Sequence, residues 1–406
     1  LTTVNLPTSC VVDFTEGYTV TLNVTNGSTS PVSKVVGRDG ETSFTVTPND
    51  GYKLELETNT CGGTLSGNTY TISGIITNKT CSITFKANTF VLYDKLLADK
   101  TTRPGERSSF NSVLTTNNTN TLYTGTEDNT TVYYFAGNAQ DNWVQFGGFY
   151  WRIIRTNSDG GVRLLYHGTS TTATNAYIGS SEYNYYGNSM YVGYMYGTSG
   201  SLENNRTNIN SSSIKTKIDN WYSSNLETPG YTKYLSTSAV YCNDRSITSG
   251  TYSTSSFYFP AYTRLVSNKK PTYNCAATED KFTVDSSAGN GKLTYPIALM
   301  TADEVSFAGG MQATNAQTWY YYNGTNGSST GTTAWWLMTP GIWDGESAFV
   351  FRVLGSASPG YLNYNYAVSG SISVRPVTSL KSCVKTSGGD GTADNPYTIL
   401  ETSSGC

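Results

Sequence analysis

The sequence predicts a mainly β fold with an α+β part, in which a small β repeat module is followed by a larger domain. Three observations carry that expectation. Short runs of alternating apolar and polar residues recur along both halves of the chain, separated by Gly and Asn turn signals. One run repeats at a fixed offset. Only 14% of the 406 residues are charged while 37% are apolar, against about 25% charged in typical soluble domains. Uncharged Thr, Ser, Asn and Gly supply the polar surface instead, a balance that suits β-rich extracellular modules.

The first module reads as five strands in residues 18–86: YTVTLNV (18–24), SFTVTP (43–48), YKLEL (52–56), TYTISGI (69–75) and CSITFK (81–86). Asn26-Gly27, Asp50-Gly51 and Gly67-Asn68 mark turns between them. Residues 1–14 match the end of this module with an offset of 71: Leu1 falls on Ile72, Val4 on Ile75, Cys10 on Cys81 and Phe14 on Phe85. Residues 1–14 are therefore expected to be the tail of a preceding copy, and 15–87 a complete repeat. Residues 88–140 read as a connector, with a short amphipathic helix in 90–100 and a hairpin near Thr131–Phe135.

Residues 141–381 form the largest unit. Two strands are expected around the turn Asn157–Gly161. One helix is expected over Ser213–Tyr222, with Ile214, Ile218 and Trp221 apolar. A second runs over Thr301–Ala308, with Thr301 as N-cap and Glu304 completing a capping box. Strands follow at 334–340, 347–354, 360–366 and 372–380. Residues 382–406 read as a tail tied down by a disulfide.

The seven cysteines, at 10, 61, 81, 242, 275, 383 and 406, contain no CxxC pair, and the single His167 cannot complete a Cys/His zinc set. Disulfides are expected instead, which implies an oxidising compartment and an extracellular or cell-surface location. The expected pairs are Cys61–Cys81, Cys242–Cys275 and Cys383–Cys406. The partner of Cys10 then lies upstream of Leu1. A net charge of −3 argues against a nucleic-acid partner. No apolar run reaches the ~20 residues of a membrane span.

Little points to catalysis. A Ser/His/Asp triad would have to use His167, which sits in a strand-like LLYHG context, and no enzyme is expected. Calcium is possible at Asp344 and Glu346 or at Asp390 and Asp394, but neither pair has a defensible ligand spacing, and turn chemistry explains both. No cofactor is expected. The informative feature is three loops rich in Tyr, Asn, Ser and Gly, at 183–197, 319–329 and 360–371. Antibody paratopes share this composition, since Tyr offers large contact area at low entropy cost.

Two resemblances bear on the fold. Tyr18-Thr-Val-Thr-Leu, Phe44-Thr-Val-Thr-Pro48 with Gly51-Tyr52, Ile72 and Ile83-Thr-Phe85 resemble the internalin-type B repeats of bacterial surface adhesins, over about 70 residues. This resemblance implies a stalk, although the cysteine pair departs from the plain repeat. Phe146–Arg155 followed by Asp159-Gly, Ile218–Tyr222, Cys242–Ser246, Leu299–Val305, Trp335-Trp336-Leu and Val374–Val377 resemble a family of bacterial surface domains over about 260 residues. Those domains have a C-type-lectin-like fold related to the formylglycine-generating enzyme. This second resemblance implies that 149–156 lies next to 372–380 in one antiparallel sheet, each run carrying an outward Arg, Arg152 or Arg375. It also implies that the exposed binding face lies within 339–371. The expected ligand-binding residues are Trp343, Asp344, Tyr361, Asn363 and Asn365, with Tyr361, Asn363 and Asn365 on one face of their strand beside Trp343.

The function expected from these features is a surface-displayed or secreted adhesin, a lectin-like head on a β-repeat stalk, whose partner is a glycan or a protein. The alternative is a structural subunit of an extracellular filament or pilus-like appendage, in which Tyr-rich faces are subunit contacts. A formylglycine-generating type of enzyme would require a free thiol at Cys242 or Cys275.

Overall fold

Alternation along each run decides which face of a strand is buried, and in the first module it builds two sheets around one core. The computed structural model describes residues 17–49, 51–116, 118–174, 176–185, 189–198, 202–246, 256–316, 320, 334–355 and 358–406. The chain divides into two compact units, at Thr89 and Phe90. The residues 1–14 assigned to a preceding repeat, Cys10 among them, lie outside the described residues.

The described residues of the first unit form eight strands: β1 (Gly17–Thr25), β2 (Gly27–Ser30), β3 (Ser33–Gly37), β4 (Gly40–Pro48), β5 (Tyr52–Asn59), β6 (Thr64–Ser66), β7 (Thr69–Ile75) and β8 (Lys79–Ala87). They form two four-stranded sheets, in the orders β3-β1-β8-β5 and β2-β4-β7-β6. β1 and β8 pair in parallel. Alternate residues meet in the core: Val20 and Leu22 of β1, Phe44 and Val46 of β4, Tyr70 and Ile72 of β7, and Ile83 and Phe85 of β8. Asn26 takes a positive φ of 64° at the β1–β2 corner, a conformation Asn tolerates better than most residues. All five strands read from the sequence are present.

The second unit runs from Phe90 to Cys406 and contains a nine-stranded and a six-stranded sheet. Residues 90–140, read as a connector, belong to this unit. A helix, α1, occupies Leu92–Asp99 and buries Leu92 and Leu96. The hairpin of β9 (Thr121–Glu127) and β10 (Thr130–Tyr134) joins the larger sheet. Next come β11 (Trp143–Phe146), β12 (Phe149–Thr156) and β13 (Val162–Gly168). β12 and β13 flank the expected turn, and every residue of β13 is buried.

The smaller sheet is built on β15 (Trp335–Trp343), β16 (Ala348–Val353), β17 (Leu362–Ala367) and β18 (Ser371–Ser373). The larger sheet is completed by β14 (Ile297–Leu299) and β19 (Pro376–Leu380). One core spans both sheets, with Trp151, Ile153 and Leu164 from the larger and Trp335, Trp336 and Val350 from the smaller.

The expected pairing of the first and last strands needs correction. β12 and β19 do lie in one sheet, but β13 stands between them and pairs antiparallel with both. The run 372–380 is also not one strand. Ile372 and Ser373 belong to β18 in the smaller sheet, and the chain crosses at Val374-Arg375 to begin β19. Pro376 has no N–H to donate, so it fits the first position of a strand. Nor do the two arginines point outward, since Arg152 and Arg375 are both fully buried. Arg152 donates to Asn142 Oδ1 at 2.6 Å and to the Ala139 carbonyl at 2.7 Å, with its guanidinium 4.0 Å from the Trp143 ring centre. Arg375 donates to the Tyr166 carbonyl and lies over Trp335. A buried guanidinium survives where carbonyls and ring faces replace its water. Period-two alternation cannot distinguish this from exposure.

The C-terminal segment is paired with the rest of the second unit at two places and closed on itself by a disulfide. Lys385 and Thr386 pair with Val91 and Phe90, Tyr397 and Thr398 pair in parallel with β11, and Cys383 bonds to Cys406. The other two disulfides, Cys61–Cys81 and Cys242–Cys275, are also formed. Their sequence separations are 20, 33 and 23 residues, for which the chain-entropy account gives about 3 kcal/mol or slightly more per bridge. Peptide mapping without reduction should recover these three pairs, and reduction should lower the denaturation midpoint. A cross-linked peptide joining any two of these cysteines differently would contradict the fold.

Candidate functional site

The most highly charged place in the second unit is a buried ionic cluster around α3 (Ala302–Phe307). Thr301 caps this helix by accepting from Glu304 N at 3.1 Å, and the Glu304 carboxylate accepts from Thr301 N at 3.0 Å. This is the capping box read from the sequence. The same carboxylate does more than cap: its Oε1 accepts from Arg155 Nε of β12 at 3.0 Å and from Arg163 of β13 at 2.6 Å. Arg155 also donates to Glu127 of β9 at 2.7 Å, and Arg163 donates to the Val240 carbonyl. Beside this cluster, Arg264 grips Asp303 with two hydrogen bonds of 2.7 Å and donates to Asp244 at 2.8 Å.

Burial by itself would raise the Glu304 pKa, but the Arg163 and Arg155 guanidinium groups outweigh it and hold the carboxyl down to about 2. Glu127 is lowered too, because Arg155 overcomes the same burial. The cavity within the cluster is only ≈ 20 Å³, enough for about one water and too small for a substrate. Cys242, on its wall, is bonded to Cys275, so neither offers a free thiol. His167 is fully buried, 4.5 Å from the Trp143 ring centre. The cluster is a structural knot, with carboxylates and guanidinium groups mutually engaged.

The binding platform expected in 339–371 is only partly assembled. Leu362 of β17 is buried and Tyr364 and Tyr366 pack against the core, while Asn365 on the opposite face is exposed, as the alternation predicts. Tyr361 and Asn363 are half-buried, and Asn363 accepts from Arg352 Nε at 3.2 Å. The correction concerns Trp343. It is 7% exposed and belongs to the core, so the platform lacks its central ring. Asp344 is exposed, and its carboxylate accepts from Glu346 N and Ser347 N within its own turn. Asp390 likewise accepts from Thr392 N and its hydroxyl. Among the described residues no group of three or more acidic, His or Cys side chains is arranged to hold a metal ion.

Open volume is found instead around α2 (Ser213–Tyr222), where sequence reasoning did not place the site. Ser212 caps this helix by accepting from Lys215 N at 3.2 Å. Ile214, Ile218 and Tyr222 are buried at i, i+4 and i+8. The other side of the helix carries Ser213, Thr216, Lys217, Asn220 and Trp221, the same spacing shifted around the axis. Two adjoining depressions share Ser213 and Thr216 on their walls. One, of ≈ 530 Å³, adds Lys217, Asn220 and Trp221 from the helix and Ser180 and Ser181 from the neighbouring strand. The other, of ≈ 420 Å³, is walled by Tyr185, Tyr191, Tyr196 and Asn184. These volumes lie within the usual range of ligand sites.

Asn184, Tyr185, Tyr191 and Tyr196 of the first Tyr-rich segment, 183–197, thus line an open groove. The third packs two of its tyrosines on the core, and the second lies outside the described residues except for Tyr320, which is buried. The groove stands on ordered supports. Asn184 is buried, receives the Ser213 amide at 3.3 Å and donates to the Tyr191 carbonyl at 3.4 Å. Tyr191 and Tyr196 meet edge to face at 4.8 Å. Trp221 is held against Phe149 and Tyr166 at 5.3 and 5.2 Å. Tyr185 is 66% exposed at the rim. The sequence signal was the polar stripe at three- and four-residue spacing opposite Ile214 and Ile218.

No protein family, curated protein or solved structure matches the chain. Its chemistry is therefore read from these sites alone.

Two predictions follow from the burial. Replacing Glu304 by Gln leaves two buried guanidinium groups under-compensated and should cost about 3–5 kcal/mol in urea unfolding. Because the folded-state pKa of Glu304 is depressed, its contribution is present above the unfolded carboxylate value and lost as pH falls towards about 2. The wild-type midpoint should consequently fall more steeply than the variant's between about pH 5 and about pH 2; parallel curves would count against the network. Replacing Trp343 by Ala should destabilise by about 3–5 kcal/mol, whereas a near-wild-type midpoint would restore Trp343 to the surface.

Proposed function

We propose that the chain is a secreted or surface-displayed binding protein of the adhesin type, with a lectin-like head (90–406) carrying a site for an extracellular glycan or protein ligand and the first unit serving as a stalk. The observation that carries this reading is the groove beside α2: open, walled by three tyrosines and by hydroxyl and amide side chains, and supported by a capped helix. Such a surface offers ring faces for contact and polar groups for orientation. The three disulfides fit an oxidising compartment. Among the described residues no helix is long and apolar enough to cross a membrane.

A second reading, a subunit of an extracellular filament, has one observation in its favour. Val35, on the edge strand β3 of the first unit, is 70% exposed, and Val32 just before it is 58% exposed. An edge strand with exposed apolar side chains invites pairing with another chain. Light scattering during size exclusion separates the two readings: the adhesin reading expects a monomer at all concentrations, the filament reading a mass that grows with concentration.

Binding of the labelled full chain to panels of immobilised oligosaccharides and extracellular proteins tests the site. Tyr185→Ala should weaken the strongest interaction by about tenfold or more, as at an aromatic hot spot, and should leave the melting midpoint within a few degrees, as expected of an exposed position. Wild-type affinity in this variant would rule out the groove as the binding site.

A further inference from the structure

We infer that the groove beside α2 takes an acidic saccharide, a sugar chain bearing a carboxylate or sulfate that Lys217 receives. The inference deepens the binding-protein reading and rests on it.

Lys217 is the one charged side chain among the described residues that wall the two depressions. The other described groups are serine, threonine, asparagine, tyrosine and tryptophan, with Ile178 the one aliphatic side chain. No carboxylate lies within ion-pair distance of Lys217 among the described residues. The nearest helical acid on its own element, Asp219, is engaged by Lys215. Lys217 is half-buried, and its Nζ lies close to Gly179, where an added methyl group would come within 3.3 Å of it. A partly desolvated ammonium in an otherwise neutral groove favours an anion, since the interaction strengthens as water is excluded.

The rest of the lining selects the kind of anion. A pyranose has an apolar face of C–H groups and a rim of hydroxyls. The faces of Tyr185, Tyr191, Tyr196 and Trp221 suit the first, and the Ser, Thr and Asn side chains suit the second. Lys217 and Trp221 are four residues apart on α2, so their Cβ atoms stand about 5–6 Å apart. That separation is close to the width of one sugar ring, so a pyranose on Trp221 presents its acidic substituent to Lys217. A phosphate-rich polymer fits less well, because one ammonium cannot neutralise a row of phosphates. The combined volume, ≈ 530 and ≈ 420 Å³ in adjoining depressions, accommodates more than one ring.

The test titrates the full chain calorimetrically with three oligosaccharides of equal length: a neutral oligogalactoside, an oligogalacturonate and a sulfated oligogalactoside. At least one acidic ligand should bind about tenfold tighter than the neutral one, the factor expected for one charge-assisted hydrogen bond. The advantage should shrink with added salt. The tighter of the two acidic ligands identifies whether carboxylate or sulfate is the native group. Lys217→Gln should abolish this preference, so that acidic and neutral ligands bind the variant equally, with the melting midpoint unchanged. Equal affinity for all three ligands, or a preference that survives in Lys217→Gln, overturns the inference and leaves the broader binding function standing. Failure of all three to bind, with a protein from the panel captured in a Tyr185-dependent way, overturns the inference in favour of a protein ligand.

Discussion

The second unit depends on one carboxylate. Glu304 closes the capping box of α3 and at the same time accepts from Arg155 of β12 and Arg163 of β13. Arg155 carries the connection to Glu127 of β9. A short helix of six residues, too short to be stable alone, is thereby fixed to three strands of the larger sheet. The backbone N–H of Ala302, the first residue of the helix, donates to the Thr339 hydroxyl of β15, in the smaller sheet. One charged group thus sits where both sheets and the helix meet. Such a knot is costly to desolvate and is held by the mutual satisfaction of its members. In return it specifies the register of β12 against β13.

This arrangement sets the buried charge cluster apart from the proposed binding groove. The Glu304 cluster lies inside, around a space for a single water. Among the described residues that wall it, the groove beside α2 has Lys217 as its one charged side chain. Yet the two are connected through packing: α2 buries Ile214, Ile218 and Tyr222 in the core that β12, β13 and β14 also line. A binding surface on a capped helix over such a core is positioned more accurately than one on loops alone.

Local patterns in the sequence revealed much of this. Alternation located all five strands proposed in the first unit: in four of them alternate residues are buried, while in β5 only Tyr52 and Leu56 are half-buried. The capping box at Thr301 and Glu304 and the helix over Ser213–Tyr222 were legible for the same reason, as short-range rules between near neighbours. What escaped was long-range. Nothing within 372–380 shows that β13 intervenes before β12, or that the run changes sheets at Arg375. An arginine at an alternating position reads as exposed unless its carbonyl partners, far away in sequence, are known. The expected exposure of Trp343 failed similarly: a tryptophan beside Asp-Gly looks like a loop residue until Phe257 and Tyr258 pair against its strand. Trp221 was counted with the apolar face of its helix, whereas Tyr222 occupies the core position and Trp221 helps to wall the groove.

Hydrogen exchange read by mass spectrometry tests the central claim, that the Glu304 knot organises the second unit. The account predicts that β12, β13, β19 and α3 exchange slowest and open together, in a single cooperative event. Peptides from the rim of the groove, around Tyr185 and Tyr196, should open earlier. Rapid exchange in β12 or β13, or independent opening of α3 while both strands stay protected, would contradict it.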